Sequence, residues 1–199
     1  MKKLAWILVL LGLLAGCSAR TRYAFELDAG SFLGDQVEGT VDLEVPAAFH
    51  VYLPDDDDDL ATPDTGGLLA QVPGPIADAL ERIRLTLEAT LENQGAGELT
   101  LSAAFYLAPE SETDIYQPQY KVAEAAVEPN PVPPGEGARL NLSAELQSGD
   151  SAFATVQEGG GKFRVGLELA GTGQKFAYRV ERFTLFLEAK PLGRLVRGD

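Results

Sequence analysis

Between Arg82 and Glu92 every second residue is apolar: Ile83, Leu85, Leu87, Ala89 and Leu91 alternate with Arg84, Thr86, Glu88 and Thr90. A period of two places those apolar side chains on one side of an extended chain, as a strand with a single buried face requires. The alternation resumes at Leu99, Leu101, Ala103, Phe105 and Leu107, after the connection Asn93-Gln94-Gly95-Ala96-Gly97. Five residues with two glycines between two alternating runs predict a hairpin.

The same pattern predicts strands at Tyr23, Phe25 and Leu27, and at Val37 through Val41, Leu43 and Val45. It recurs at Phe49, Val51 and Leu53, and at Ala138 through Leu146. Pro46 cannot donate to a ladder, so residues 36 to 53 are expected as two strands with a bend or one bulged edge strand. Further strands are expected at Phe163 to Leu169 and at Phe176 to Val180, joined by Gly171-Thr172-Gly173. At Phe183, Leu185 and Leu187 the parity reverses, which predicts a bulge near Glu181 and Arg182. Helical signals are few. Pro75 to Leu80 opens with a proline suited to a first turn, and Asp150 to Val156 is a second short candidate. Short strands with Gly- and Pro-rich turns and almost no helix describe a mainly β fold, with two antiparallel sheets sharing a core.

The chain has 199 residues, 45% of them hydrophobic, enough to bury a core without disulfides or a metal. Its one cysteine excludes an intramolecular disulfide. Residues 22–53 supply too few strands for a core of their own, so a single domain is expected over 22–190. A long acidic loop is expected at 54–74 and a tail at 191–199.

Ahead of this body stands a different kind of sequence. Lys2 and Lys3 precede an eleven-residue apolar run, Leu4 to Leu14, followed by small residues. That run is too short to span a bilayer and has the order of an export signal. The lone cysteine closes it. Leu14-Ala15-Gly16-Cys17 resembles the lipobox of bacterial lipoproteins. The resemblance implies a signal peptide at 1–16, a diacylglycerol on the Cys17 sulfur, and a lipidated tether at 17–21. It makes the bilayer a partner through Cys17. Two or three acyl chains hold durably where one holds only marginally. Ser18 in the next position is similar to lipoproteins sent to the outer membrane of two-membrane cells.

A second resemblance rests on "LEATLENQGAGELTLSAAFYL" and "PVPPGEGARLNLSAEL", which are similar to bacterial Ig-like sandwiches of the CARDB type. It covers residues 82 to 148 and implies an antiparallel Ig-like β-sandwich of about eight or nine strands with one or two short helices. It also implies an adhesive or assembly role and carries no catalytic residues. Asn130-Pro131 is similar to a feature of another sandwich, that of water-stress-type periplasmic lipoproteins.

Charge narrows the partners. The chain carries a formal −14, and without Lys2 and Lys3 its fourteen remaining bases face thirty acids, a formal −16. Such a body repels phosphate, which disfavours nucleic acid and broad contact with an anionic leaflet. Arg20 and Arg22 stand where headgroups beside the anchor could be touched, but two arginines in a tether are expected to be simply solvated.

Candidate chemistry is sparse. Asp55, Asp57 and Asp59, within five consecutive aspartates, offer oxygen ligands for a hard cation. An EF-hand count from Asp55 puts Leu60 where the sharp-turn glycine belongs, so a solvated, self-repelling loop with at most weak cation binding is expected. His50, the only histidine, is expected on a strand at or near the surface, without the further ligands a zinc site needs or the partners a general base needs. Gly159-Gly160-Gly161 leads into a strand and not a helix, and so reads as a hairpin connection, not a phosphate cradle. Phe186 lies on the opposite parity from Phe183, Leu185 and Leu187 and is a candidate partner-binding anchor. The expected function is a non-enzymatic envelope module with a protein partner and no cofactor. The alternatives are a carrier of a small apolar ligand or divalent cation, and then a hydrolase.

Overall fold

The computed structural model describes residues 22–28, 30, 33–54 and 65–190. The signal segment 1–16, Cys17 and its tether, Asp55, Asp57, Asp59 and the tail 191–199 lie outside the described residues.

The fold is an antiparallel β-sandwich of eight strands: β1 Tyr23–Asp28, β2 Glu38–Leu53, β3 Leu68–Gln71, β4 Leu80–Asn93, β5 Thr100–Pro109, β6 Lys121–Ala126, β7 Gly137–Gln147 and β8 Lys162–Ala189. A four-residue helix, α1 Gly74–Ala77, and an eight-residue helix, α2 Ser151–Glu158, complete it. Both helices fall where the proline turn and the Asp150 segment predict them.

The organising element is β8, 28 residues long. Along one edge it pairs in succession with β3, β2 and β1, and along the other with β5 and β4. β6 adds to β5, and β7 to β4. Both layers therefore belong to one hydrogen-bonded sheet that doubles back on itself. Phe105 is paired opposite Leu167, yet its ring centroid is 5.9 Å from that of Phe183. Leu167 and Phe183 would be roughly 50 Å apart on a straight strand. The fold-over lies around Gly171 to Lys175, where Phe49 and Phe176 pack with centroids 5.0 Å apart.

Several sequence expectations are corrected, the two separate sheets among them, since all eight strands form one sheet. Among the connections, the first is the hairpin: β4 and β5 do not pair with each other. Asn93 is opposite Phe176 and Thr100 opposite Thr172, so both strands run antiparallel to β8 in the same direction, and residues 94–98 carry the chain from one layer to the other. Second, Gly171-Thr172-Gly173 is not a connection but the middle of β8, paired to β2 and β5. A Cβ on Gly171 would overlap the Thr100 carbonyl, and one on Gly173 would come within 2.6 Å of Leu99 Cδ1, so these glycines permit close approach at the bend. Third, Gly159-Gly160-Gly161 follows α2 and turns the chain into β8. Gly160 and Gly161 have φ of 61° and 89°, the left-handed region that ends helices.

Other readings agree with the structure. β2 is one bulged edge strand, with Leu43 to Pro46 opposite Gln174. The parity reversal in β8 is a bulge: Glu88 faces Arg182 and Ala89 faces Val180, leaving Glu181 as the extra residue. Inside, Leu85, Leu87, Leu91, Leu101, Phe105, Leu140, Leu167 and Leu185 are buried as the alternation requires. The region expected as an uninterrupted loop at 54–74 contains β3, and β6 is a strand that the alternation did not mark.

Candidate functional site

The densest chemistry among the described residues lies on the outer face of the layer formed by β2, the first half of β8, β5 and β6. Tyr52 on β2 is opposite Glu168 on β8, which is opposite Ala104 on β5, and His50 and Tyr106 lie two residues along on the same face. This alternation brings together side chains far apart in sequence. His50 Nδ1 donates to Glu168 Oε1 at 2.6 Å, and the Tyr106 hydroxyl donates to Glu168 Oε2 at 2.6 Å. Tyr116, from the loop after β5, packs against Tyr52 with ring centroids 4.2 Å apart and against Tyr106 at 5.1 Å. Its hydroxyl donates to the Leu53 carbonyl at 3.2 Å. A Cβ on Gly166 would overlap the Tyr116 hydroxyl, so that glycine makes room for the ring.

Ala104, Tyr106, Ala108 and Ile115 form a small second core beneath this loop. Burial first, and then the hydrogen bond and charge of Glu168, hold the Tyr106 phenol well above its ordinary range. Tyr52 is also raised, by burial and then by Glu168 and Asp114. Both oxygens of Glu168 are thus engaged within the protein. The arrangement is a network that fastens β2, β8 and β5 to one another. His50 does lie exposed on a strand, as its sequence context predicts; its partner Glu168, 118 residues away, is invisible to spacing arguments.

Small spaces lie in the interior among the described residues. Two apolar voids, one beside Leu33, Leu53 and Phe183 and one beside Leu87, Leu140 and Leu169, measure about 10 Å³ each. That is room for at most a single water. Two larger spaces are open grooves on the outside: one of about 810 Å³ along Glu38, Thr40, Thr90, Glu92 and Arg179, and one of about 590 Å³ along Glu26, Asp28 and Arg182. Among the described residues no three His, Cys, Asp or Glu side chains are grouped to hold a metal.

Phe186 lies on the outer face of the opposite layer, half-buried. Arg84, directly across on β4, sets its guanidinium carbon 5.6 Å from the ring centroid. Around this pair runs a string of ion pairs. Arg84 and Arg82 meet Glu145 at 3.4 and 3.3 Å, Arg82 and Arg22 meet Glu188 at 3.9 and 2.9 Å, and Arg22 and Lys190 meet Glu81 at 3.5 and 3.0 Å.

One residue that sequence reasoning passed over is Asn93, the one buried polar residue among those described. Its Nδ2 donates to the Gly97 and Val132 carbonyls, each at 2.8 Å, and its Oδ1 accepts from Gly95 N at 3.0 Å. It fixes the crossing from β4 to β5. The only signal for it was its place at the head of a glycine-bearing loop.

No family model matches the chain, and no curated protein matches it. Among solved structures it is similar to a chain in the structure of infectious bursal disease virus Gt strain, at 12% identity and a TM-score of 0.44, over 88% of this chain and 33% of that one. It is similar also to the VP2 subviral particle of the same virus, at 11% identity and a TM-score of 0.41, over 88% and 34%. A further likeness is to the CBM22-1–GH10 modules of Clostridium thermocellum xylanase 10B complexed with xylohexaose, at 12% identity and a TM-score of 0.31, over 75% and 26%. This chain spans about a third or less of the length of each, and nothing is carried over from them.

Proposed function

We propose that this is a lipid-anchored protein of the cell envelope, held through an acylated Cys17 and serving as a non-catalytic interaction or structural module. The observation that carries the anchor is Leu14-Ala15-Gly16-Cys17 placed directly after an eleven-residue apolar run, with the first strand beginning six residues beyond the cysteine. The site is the cell envelope, and the outer membrane where a cell has two. A module is favoured over a carrier because, among the described residues, the apolar voids beside Leu53 and Leu140 measure about 10 Å³ each, against the roughly 300 Å³ at which ligand sites begin. Absence of catalysis is supported by the sequence, in which the one histidine, His50, is accompanied by no Gly-x-Ser-x-Gly nucleophile elbow.

Mass spectrometry of native material tests the anchor. A mature N-terminus at Cys17 carrying a diacylglyceryl group is expected, with Cys17→Ser left unprocessed. A bare thiol, or a chain cut beyond Cys17, overturns the reading. Cross-linking in intact membranes followed by identification of the bound envelope protein tests the module, and reproducible turnover of any substrate by the purified protein would refute it.

A further inference from the structure

β1 is held more lightly than the strands beside it, and it is the strand that continues into the tether. Among the described residues it pairs with β8 on one side only. Phe25 is half-buried against the core, while Ala24, Glu26, Leu27 and Asp28 are exposed, Leu27 by 36% although its parity points it inward. β2, the next strand along that edge, buries Val41, Phe49, Val51 and Leu53. Around β1 run ion pairs at the surface: Arg22 with Glu188 at 2.9 Å and with Glu81 at 3.5 Å, and Arg182 with Glu26 at 3.3 Å. Exposed pairs of this kind contribute little.

The rest of the sandwich has its own support. On the other edge of β8, Leu185 and Leu187 are opposite Leu85 and Ile83 of β4, and all four are buried. Beyond β1 the chain is fixed again at Leu33, 4% exposed, whose N–H donates to the Gly30 carbonyl at 3.0 Å and whose side chain lies with Leu53 and Phe183 around a small void. β2 then pairs with β8 from Glu38 to Leu53. Loss of the β1 ladder alone thus leaves β8, β4 and β7 joined and the chain still fixed at Leu33. Segments with few buried apolar contacts and solvent-exposed backbone bonds are the ones that open without global unfolding.

Opening has a consequence set by chain length. From Cys17 to Tyr23 is six residues, a reach of at most about 20 Å. From Cys17 to Leu33 is sixteen, a reach of about 55 Å. Resting on the anchored reading of Cys17, we propose that β1 is a detachable strand, which leaves β8 as a unit while the sandwich stays folded and so lengthens the tether. The body then has two reaches from the bilayer, a short one with β1 paired and a long one with β1 released.

Chymotrypsin tests this on the acylated full-length protein in phosphatidylethanolamine/phosphatidylglycerol vesicles. Phe25 and Leu27 are cut only in a chain free to enter the protease, so cleavage there reports release of β1, whereas Phe105, buried in β5, reports global unfolding. Cleavage after Phe25 or Leu27 at least about tenfold faster than after Phe105 is expected, with the new amino termini identified by mass spectrometry and the freed body keeping its β-sheet circular dichroism. Ala24→Cys with Glu188→Cys, at paired positions, closes β1 onto β8 when oxidised and should slow that cleavage about tenfold, with reduction restoring it. Hydrogen exchange on the unaltered protein is the second measurement. Amides of β1 should be about tenfold less protected than those of β6, an outer strand that also buries none of its side chains but continues into the fold at both ends. Cleavage after Phe25 and Leu27 no faster than after Phe105, or β1 amides as protected as those of β6, overturns the detachable strand and leaves the anchor standing. Protein shown by mass spectrometry to lack the lipid removes the tether, and with it the change in reach.

Discussion

The two outer faces of the sandwich have similar ingredients and opposite logic. On one, Glu168 is shared by His50 and Tyr106 at 2.6 Å each, and a tyrosine-rich loop closes over the floor. On the other, Phe186 stands among bases whose pairs with carboxylates run from 2.9 to 3.9 Å and remain open to solvent. The first face has more chemistry by residue type, but it uses that chemistry to hold its own strands together. The second has ion pairs at the surface, with Arg22, Arg82, Arg84 and Lys190 36% to 58% exposed. Concentration of titratable groups is therefore a poorer guide to an interaction surface than whether those groups are already satisfied.

This contrast breaks most severely at the bend that creates both faces. Gly171→Ala places a Cβ against the Thr100 carbonyl, and a loss of about 3 kcal/mol in urea unfolding is expected. A tolerated alanine would mean that the two layers are not locked by close approach there. Asn93→Ala leaves the Gly97 and Val132 carbonyls and the Gly95 amide without their partner, and should cost about 2–3 kcal/mol in the same measurement. On the closed face, Tyr106→Phe should cost about 1 kcal/mol at neutral pH.

The pH dependence of Tyr106 sharpens the comparison. Its phenol is raised above the ordinary 10.0 by burial and Glu168, so the folded state holds that proton more tightly than the unfolded chain. The stabilisation is complete below about pH 10 and is lost as pH climbs toward the folded value. Urea midpoints measured from pH 8 to 11 should therefore fall less steeply in Tyr106→Phe, the remaining slope coming from Tyr52 and Tyr178, which are raised in the same direction. The smallest effect belongs to the open face: Arg84→Gln should change stability by no more than about 0.5 kcal/mol. A larger loss would show that its ion pairs are structural and not held in reserve for a partner.

Much of the architecture was legible in the alternation, for a definite physical reason. Period two tells which side of a strand is buried, and β4, β5, β7 and both halves of β8 announce themselves in that way. It does not tell which strand is the neighbour. β4 and β5 looked like a hairpin because a glycine-bearing loop serves equally well to reverse a chain or to carry it across a bend. Gly171 and Gly173 were ambiguous for the same reason, since glycine marks both turns and tight approaches. β6, Lys-Val-Ala-Glu-Ala-Ala, carries too little apolar bulk to show a pattern. Of the candidate residues, the outward placement of Phe186 was legible from parity alone. Arg82 and Arg84 were seen only as the polar partners of an alternating run, and their convergence with Arg22 and Lys190 depends on the pairing of Tyr23 with Ala189.

The long spine has a consequence for how the chain reaches this state. Five of the other seven strands, β1 through β5, hydrogen-bond to β8, the last strand to be synthesised. Until Lys162 to Ala189 emerge, β4 and β5 have only β7 and β6 to pair with, and the pairings of β1, β2 and β3 with β8 must close very long stretches of sequence, which makes assembly slow. A polypeptide threaded amino end first through a narrow pore thus completes its sheet only when its final fifth arrives.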